Sequence, residues 1–252
     1  MKASKRQDAI LDTVVRHGSV RISDLASELD VSLETIRRDI RPLVGDGKIG
    51  KAHGAVFVPD EVREAPFERR MREHAEAKRA IARKLAGMIE DGDSVMMDTG
   101  TTTSILARAL LAKRGLIIVT NSSDVARTLA TVNGNKVYMA GGELHGDNGA
   151  AFGRSAIEFI SNFQVRHAVI SIGAIDARVG PMDYLLAEAE FARTVLGRGD
   201  KRVIITDQSK FSRPALVNVC DSGDFDMLIT DNAPPPPIAN PLAEAGVNIV
   251  LA

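Results

Sequence analysis

The chain has 252 residues, of which 44% are hydrophobic and 26% are charged, and its 32 basic residues almost balance its 33 acidic ones. This composition is typical of an ordinary folded protein with room for a small and a medium domain, and it excludes a polycation that coats nucleic acid in bulk while permitting one local basic face. A single cysteine, Cys220, excludes an intrachain disulfide, the opening residues form no signal region, and no apolar run is long enough to span a bilayer. We therefore expect a cytoplasmic protein without a membrane segment.

Three short helices are predicted at the amino terminus. The first covers residues 6–17 and stops at Gly18, and the second is a short helix capped by Ser23. The third begins at Ser32, whose hydroxyl can accept a bond from an amide one turn into the helix. Pro42 should kink or end this third helix, because proline cannot donate a backbone hydrogen bond. Three helices with a tight connection between the last two are typical of a helix-turn-helix.

The third helix has an apolar side and a basic side. Its apolar side, which helical spacing predicts to face a core, consists of Leu33, Ile36, Ile40 and Leu43. Its opposite side carries the candidate DNA-binding residues Ser32, Thr35, Arg37, Arg38 and Arg41. A short helix of this kind fits the major groove of DNA, although most amphipathic helices with arginines are simply solvated.

A small basic hairpin is predicted next. After a turn at 45–47, residues 48–52 and 55–58 have the pattern of two short strands, with Lys51 and His53 near their connection. Such a hairpin is a wing that could lie on the phosphate backbone, so Lys51 and His53 are added to the candidate DNA-binding residues.

The motif Val31-Ser-x-x-Thr-Ile-Arg-Arg-Asp39, followed by a basic residue and His53-Gly54 before Ala55, resembles the DNA-binding domain of the DeoR family of bacterial repressors. The family usually has one more glycine in the hairpin. The resemblance implies a winged helix-turn-helix that binds double-stranded DNA, and we assign it residues 1–58. A highly charged linker at 59–73 follows, in which the arginines are expected to pair with neighbouring glutamates, and 74–252 form a second domain.

In the second domain, short apolar runs alternate with helical patterns. The predicted strands cover residues 94–97, 116–119, 136–140, 167–172, 202–206, 226–230 and 247–251. The predicted helices between them cover residues 81–89, 104–111, 125–131, 156–161 and 185–196. This alternation predicts an α/β domain with a mostly parallel sheet that is covered on both faces.

Ligands of such sheets bind beyond the carboxyl ends of the strands, so the residues after each strand are candidates for a binding site. Those residues are Asp98, Gly100, Thr101, Thr102, Thr103, Thr120, Asn121, Gly141, Gly142, Asp176 and Lys210. Gly100 and the three threonines open a helix, an arrangement that suits a phosphate group, although the loop taken alone fits a simple capped turn equally well. Lys210 can add a positive charge, and Asp98, Asn121 and Asp176 can bond hydroxyl groups. The histidines are scattered, so no metal site and no cofactor are expected.

The second domain also resembles the DeoR family. Asp98-x-Gly-Thr-Thr, Val119-Thr-Asn, Gly141-Gly-Glu-Leu and Asp207-x-Ser-Lys-Phe occur in the order found in the sensor domain of that family, whose fold is similar to ribose-5-phosphate isomerase. The resemblance implies a sensor of phosphorylated sugars or polyols. By the same resemblance, glycerol 3-phosphate is the first choice of effector, on the motifs at residues 159–163, 209–218 and 230–237.

We therefore predict a transcriptional repressor, not an enzyme, whose binding to operator DNA is relieved by a sugar or polyol phosphate. Half-site recognition predicts a homo-oligomer, a dimer or a tetramer. The main alternative is a sugar-phosphate isomerase or transferase that uses Glu188 or Asp176 near Lys210 as an acid or base. A DNA-binding architectural protein without an effector is a third possibility, but it would leave the polar strand ends unexplained.

Overall fold

The computed structural model describes residues 3–17, 19–46, 48–52, 54–57, 64–213 and 215–252. The chain divides into two compact units, the first made of Met1–Glu64 with Tyr184–Leu186 and the second of Ala65–Asp183 with Ala187–Ala252. Several predictions fall outside the described residues: the helix stop at Gly18, the turn residue Gly47, His53 of the wing, and residues 58–63, where the first domain was predicted to end.

The first unit is a helix-turn-helix with a small sheet. Its elements, in chain order, are α1 (Ala3–His17), β1 (Ser19–Arg21), α2 (Ile22–Glu28), α3 (Leu33–Gly45), β2 (Gly50–Ala52) and β3 (Ala55–Phe57). Strand β3 lies between β1 and β2 and is antiparallel to both. The predicted three helices and hairpin are therefore present, and β1 is a third strand that the sequence analysis did not predict.

Helix α3 confirms its predicted cap. The Ser32 hydroxyl accepts a hydrogen bond from the Thr35 backbone N–H at 3.2 Å, which satisfies one of the amides left free at a helix start. Ile36, Ile40 and Leu43 are buried as predicted. Leu33 is 45% exposed, so its predicted place in the core is wrong; Val31, just before the helix, packs against that core instead.

Helix α3 does not end at its proline, and the predicted cap of α2 is wrong. Helix α3 continues through Pro42 to Gly45. Arg38 and Pro42 are both exposed, so water can reach the Arg38 carbonyl that proline leaves without a donor. Ser23 does not cap α2, which begins one residue earlier, at Ile22. The Ile22 N–H donates to the Gly54 carbonyl at 3.0 Å, so wing backbone replaces a side-chain cap.

The second unit is built on one seven-stranded sheet. Its strands are β4 (Ser94–Met97), β5 (Ile117–Thr120), β6 (Lys136–Met139), β7 (Val165–Ser171), β10 (Gly199–Ile205), β12 (Met227–Thr230) and β13 (Asn248–Leu251). They lie in the order β13-β12-β10-β7-β4-β5-β6, and every neighbouring pair is parallel. The seven predicted strands and the parallel α/β architecture are confirmed.

The helices of this unit are α4 (Phe67–Arg72), α5 (Ala75–Ala86), α6 (Thr101–Ala109), α7 (Ser123–Leu129), α8 (Arg154–Ile160), α9 (Leu186–Leu196) and α10 (Pro236–Glu244). Each predicted helix is present with shifted ends, whereas α4 and α10 were not predicted. Helix α4 lies within the segment that the sequence analysis assigned to the linker. Within that segment, Arg69 pairs with Glu73 at 2.6 Å, the arrangement expected of its charged residues.

A second, small antiparallel sheet was not predicted. It contains β8 (Ala174–Asp176), β9 (Gly180–Asp183) and β11 (Val217–Asn218), with β9 in the middle.

Alternate residues of the large sheet bury their side chains in two different clusters, as successive residues of a strand must. Met96 and Ile170 belong to one cluster, and Val95, Met97 and Val169 belong to the other. Helices therefore cover both faces, and the strand ends remain as the edge where polar residues gather. Within the described residues, every helix is too short or too polar to cross a bilayer.

Candidate functional site

Two candidate sites emerge, one in each unit. The first is the outer side of α3. Arg37, Arg38 and Arg41 are exposed there, and the nearest acid to Arg37 is Glu34, at 3.9 Å with both side chains largely in water. A pair so exposed contributes little to stability, so these guanidinium groups are available to another molecule. Lys51 on β2 is exposed as well.

Beneath this surface, Asp39 has the opposite role. Its carboxylate accepts a hydrogen bond from Arg6 Nε at 2.7 Å, and the side chains of Arg6 and Asp39 are only 10% and 4% exposed. The Gln7 side chain donates to the Asp39 carbonyl at 3.2 Å. Asp39 therefore fastens α3 to α1. The sequence analysis named Asp39 only as part of a motif, because nothing local reveals that its partner is 33 positions away.

Ser32 and Thr35 are joined to each other at the start of α3. Besides accepting from the Thr35 N–H, the Ser32 hydroxyl lies 2.9 Å from the Thr35 hydroxyl. Both lie at the end of the helix that would enter a groove first. Their cap geometry fixes the direction in which the helix begins.

The second candidate site lies at the carboxyl ends of the parallel strands. Asp98 follows β4, and its carboxylate accepts the Ser171 N–H at 3.1 and 3.2 Å from the end of the neighbouring strand β7. Asp98 is buried. Burial raises the pKa of Asp98 well above its usual range, the Ser171 N–H lowers it, and the nearby Glu188 carboxylate raises it further. A buried acid with a perturbed pKa is typical of a functional site.

Glu188 was not among the predicted binding residues, although it was named as a possible acid or base for an enzyme. It lies in the first turn of α9, and its Oε1 accepts a hydrogen bond from Asn148 Nδ2 at 3.1 Å. The available signal was an acid at the start of a predicted helix, but its distance from Asp98 could not be read from the chain. We define the strand-end cluster as Asp98, Asn121, Asn148, Glu188 and the Thr99–Ser104 loop.

Several buried polar atoms of this region make no hydrogen bond within the described protein. They are Thr99 Oγ1, Ser104 Oγ, Asn121 Oδ1 and Thr206 Oγ1. Thr99, Asn121 and Thr206 follow strands β4, β5 and β10, and Ser104 is in α6. Buried polar atoms are normally paired, because an unpaired one loses its bond to water without replacement. Their concentration at one edge of the sheet marks this edge as a place for a polar ligand.

Gly100 and the threonines have more specific roles than predicted. A Cβ on Gly100 would lie 1.9 Å from Ser171 Oγ, so the absent side chain makes room for the end of β7. Gly100 is followed by α6, whose Thr101, Thr102 and Thr103 are buried. The first amides of this helix have no carbonyl partner within it and carry a partial positive charge.

The other predicted residues follow several different strands. Asn121, at the end of the adjacent strand β5, donates from Nδ2 to the Ala151 carbonyl at 2.9 Å, whereas the Thr120 hydroxyl accepts the Ser122 N–H at 3.0 Å. Gly141 and Gly142 follow the edge strand β6 and are exposed.

Asp176 and Lys210 follow strands β7 and β10 in the chain. The Asp176 carboxylate caps its own turn by accepting the N–H groups of Arg178 and Val179, both at 2.9 Å. It also lines a separate cavity of about 250 Å³ beside α10. Lys210 follows β10, which is separated from β4 by β7, and it is only partly buried. Among the described residues, no group of three histidine, cysteine or acidic side chains could hold a metal ion.

Comparison with known proteins agrees with this two-part architecture. Residues 6–62 match a family model described as the DeoR-like helix-turn-helix domain, and residues 73–232 match one described as the DeoR C terminal sensor domain. The chain belongs to the DeoR family. The family resemblance inferred from the Thr35–Asp39 motif and from the strand ends is confirmed.

Full-length relatives of the DeoR family are transcriptional repressors by name. The chain is 32% identical to the glycerol-3-phosphate regulon repressor of Escherichia coli (strain K12), with all of both proteins covered. It is 33% identical to the HTH-type transcriptional repressor CsqR of the same organism, with 100% of this chain and 96% of that protein covered. Among solved structures, ribose 5-phosphate isomerase A from Methanocaldococcus jannaschii covers 55% of both chains with a TM-score of 0.41 and 12% identity. That likeness is too distant to support a functional argument.

Proposed function

We propose that this DeoR-family protein is a transcriptional repressor that binds operator DNA through α3 and releases it when a phosphorylated sugar or polyol binds the strand-end cluster. The observation that carries the effector half is the group of buried, unpaired polar atoms around the first turn of α6. The DNA half rests on the exposed arginines of α3, on a cap that orients the helix, and on the names of the full-length relatives.

The chemistry of the cluster favours a ligand with one anionic group and several hydroxyls. The free amides of α6 at Thr101–Thr103 suit a phosphate, while Asp98, Asn121 and Glu188 offer acceptors and an amide to hydroxyl groups. Because burial and Glu188 raise the pKa of Asp98, this carboxyl repels a nearby phosphate less than an exposed aspartate would. Glycerol 3-phosphate is the first candidate, since the Escherichia coli relative described above is named for its regulon, and Lys210 is proposed to approach the phosphate from the β10 end.

An operator titration tests both halves. Fluorescence anisotropy of labelled operator DNA should show a higher dissociation constant when sn-glycerol 3-phosphate, ribose 5-phosphate or fructose 6-phosphate is added at fixed ionic strength, because salt alone weakens DNA binding. Thr101→Val and Lys210→Ala should bind DNA normally but lose this response. The matched control is Thr128→Val, whose hydroxyl only bonds the Asp124 carbonyl within α7. An effector response in Thr101→Val equal to that of the parent would refute the assignment of the site.

For the DNA half, the double substitution of Arg37 and Arg38 by alanine should abolish specific binding. Arg127→Ala is the matched control, because Arg127 is also exposed and pairs with Asp124 at 3.7 Å with i,i+3 spacing, as Arg37 does with Glu34 at 3.9 Å. A double variant that keeps operator specificity would exclude α3 as the recognition helix.

We further propose that the active form is a homo-oligomer acting on cytoplasmic DNA. A single short helix provides few base contacts, and helix-turn-helix proteins generally bind two half-sites as dimers. Sedimentation at micromolar concentration should reveal at least a dimer, and a monomer with full operator affinity would contradict this.

The rival function is catalysis. Asp98 and Glu188 are two acids in close electrostatic contact, one with a raised pKa, and such pairs serve as acid and base in enzymes. An isomerase assay with ribose 5-phosphate separates the two functions, since a repressor should give no turnover above the background rate.

A further inference from the structure

The loop that connects β6 to α8 holds two neighbouring residues with different attachments. Residues 141–147 are exposed, whereas Asn148 is 8% exposed. Asn148 is bonded to Glu188 in the strand-end cluster, and the preceding residue, Asp147, is bonded to the start of α4. A single peptide unit therefore separates the residue bonded to the candidate effector site from the residue bonded to the start of α4. We refer to residues 141–151 as the coupling loop.

Asp147 supplies the cap that α4 lacks. The residue before the helix is Pro66, which makes no side-chain cap, and the Phe67 N–H instead donates to both carboxylate oxygens of Asp147, at 3.1 and 3.2 Å. Arg70 Nη2 lies 3.7 Å from the same carboxylate, and Arg70 Nε donates to the Ala65 carbonyl at 2.7 Å. The chain around the start of α4 is thus held by the coupling loop.

The carboxyl end of α4 is held independently of this loop. Lys78, on α5, is 3% exposed, and its ammonium group donates to the carbonyls of Arg70 and Glu73 at 2.5 and 2.9 Å. Met71 packs against the core of the second unit. With one end anchored in this way, a change in Asp147 acts on the other end, where the chain arrives from the DNA-binding unit through residues 64–66.

The opposite attachment of the coupling loop lies in the strand-end cluster. The Glu188 carboxylate accepts from Asn148 Nδ2 at 3.1 Å and also acts electrostatically on Asp98. A ligand hydroxyl that bonds to Glu188 competes with Asn148 for the same oxygen atoms. Gly149, with a φ of +63°, follows directly, and glycine adopts this conformation without strain. The residue pair Asp147–Asn148 therefore adjoins a backbone position with wide conformational freedom.

We propose that the coupling loop transmits effector binding to the linker: the ligand displaces Asn148 from Glu188, Asp147 then leaves the Phe67 amide, and the start of α4 loosens. This inference rests on the proposed function, because it requires an effector at the strand-end cluster. Its physical content is a linkage between two hydrogen bonds at neighbouring residues. The ligand and the hydrogen bond from the Phe67 N–H to Asp147 compete through one loop, so ligand binding weakens that bond and the bond weakens ligand binding.

The test uses the full-length protein, Asp147→Ala, and the control Asp91→Ala. Asp91 is an exposed aspartate that also accepts a backbone N–H, that of Arg114 at 2.9 Å, but it lies at the amino ends of the strands. The probe is whichever of sn-glycerol 3-phosphate, ribose 5-phosphate and fructose 6-phosphate raises the parent's melting temperature most. Three quantities are measured: the probe's dissociation constant, operator affinity with and without saturating probe, and hydrogen exchange of the Phe67 amide.

In the parent and in Asp91→Ala, the probe should weaken operator binding about tenfold or more and accelerate exchange at Phe67. Asp147→Ala should bind the probe at least as tightly as the parent, because the competing cap is gone, show fast Phe67 exchange even without the probe, and lose most of the operator response. Asn148→Ala removes the bond to Glu188 permanently, so it should also lose most of the response and show fast Phe67 exchange whether or not the probe is present. Asp147→Asn keeps an acceptor for Phe67 and should retain most of the parent's response, which a merely destabilised loop would not explain.

Two failures are distinguishable. If Asp147→Ala responds to the probe as strongly as the parent does, the coupling loop is not the route, although the proposed function stands. If none of the three esters binds the parent or changes its operator affinity, the proposed function fails and this inference fails with it.

Discussion

Each unit contains a buried aspartate, and the surroundings of the two are opposite in character. Asp39 in the first unit faces Arg6 at 2.7 Å, so its charge is balanced inside the core. Asp98 in the second unit faces a backbone N–H and a second carboxylate, Glu188. The first arrangement stabilises the carboxylate and fastens two helices. The second raises the pKa of the acid and is surrounded by polar atoms without partners in the described protein.

The difference separates a structural charge from a functional one. A buried pair is self-sufficient, and nothing else needs to enter for its groups to be satisfied. An acid beside another acid, at the edge where ligands of parallel sheets bind, is further stabilised when a ligand brings an additional donor. The same substitution at the two positions should therefore change stability in opposite directions, and the following predictions proceed from the largest expected effect to the smallest.

The largest effect is expected for Asp39→Asn. Removing one charge from a buried pair leaves the other without its counter-charge and typically costs about 3–5 kcal/mol. The free energy of unfolding, measured by urea titration of the helical circular dichroism signal, should fall by that order in the transition of the first unit. Replacing Arg6 by methionine and Asp39 by leucine together should recover most of the loss, and a loss below about 1 kcal/mol for Asp39→Asn alone would remove the contrast with Asp98.

Gly100→Ala should destabilise the second unit by about 1–3 kcal/mol, the usual cost of overpacking. The new methyl group would lie 1.9 Å from Ser171 Oγ, so the end of β7 or the start of α6 must move. Adding Ser171→Ala removes the clashing oxygen and leaves a 3.1 Å approach to its Cβ, so a double-mutant cycle should reveal favourable coupling. Simple additivity would show that Gly100 serves something other than this close approach.

Asp98→Asn should stabilise the protein at neutral pH, by a smaller amount than the two losses above. Burial and Glu188 raise the folded-state pKa of Asp98, so its contribution to stability is present below its unfolded pKa, about 3.9, and is lost as the pH rises through the folded pKa. Asparagine lacks this titration. The gain in melting temperature of Asp98→Asn over the parent should therefore grow from pH 4 towards neutrality, and a gain that shrinks over this range would contradict the assigned direction.

The smallest effect on stability is expected for Arg37→Ala. Arg37 is exposed and its pairing with Glu34 spans 3.9 Å, so the free energy of unfolding should change by no more than about 0.5 kcal/mol. A large loss in DNA affinity without a change in stability would complete the contrast between the surface and the interior of α3.

Much of the fold could be predicted because its signals are local. Strands such as β4 and β7 are buried on both faces and are therefore short apolar runs, and the Ser32 cap depends on residues only three positions apart. The missed elements are different. β1 and β11 have three and two residues and form by pairing with distant strands, so neither has a pattern of its own. Helix α10 begins with prolines at its first positions, and the analysis treated that run only as a motif.

The candidate sites, like the fold, could be predicted only where the signal is local in the chain. The arginines of α3 follow from helical spacing, and Asp98, Asn121 and the threonine loop follow from the rule that strand ends face ligands. Glu188 and Asn148 were missed as site residues, and the close approach of Gly100 to Ser171 was not predicted, because each depends on segments that approach one another only in the folded chain.

The sequence by itself determined the elements, the family and the polar character of the strand ends, because periodicity, caps and motifs involve residues close together in the chain. The strand order β7-β4-β5 was decided only by the tertiary structure, since pairing between parallel strands depends on long-range packing. That order places Asp98 beside Ser171, and the packing of α9 and the coupling loop places it near Glu188 and Asn148. Burial then places both acids in a low-dielectric environment, which no local pattern contains. There Asp39 is paired with the opposite charge of Arg6, whereas the pKa of Asp98 is raised.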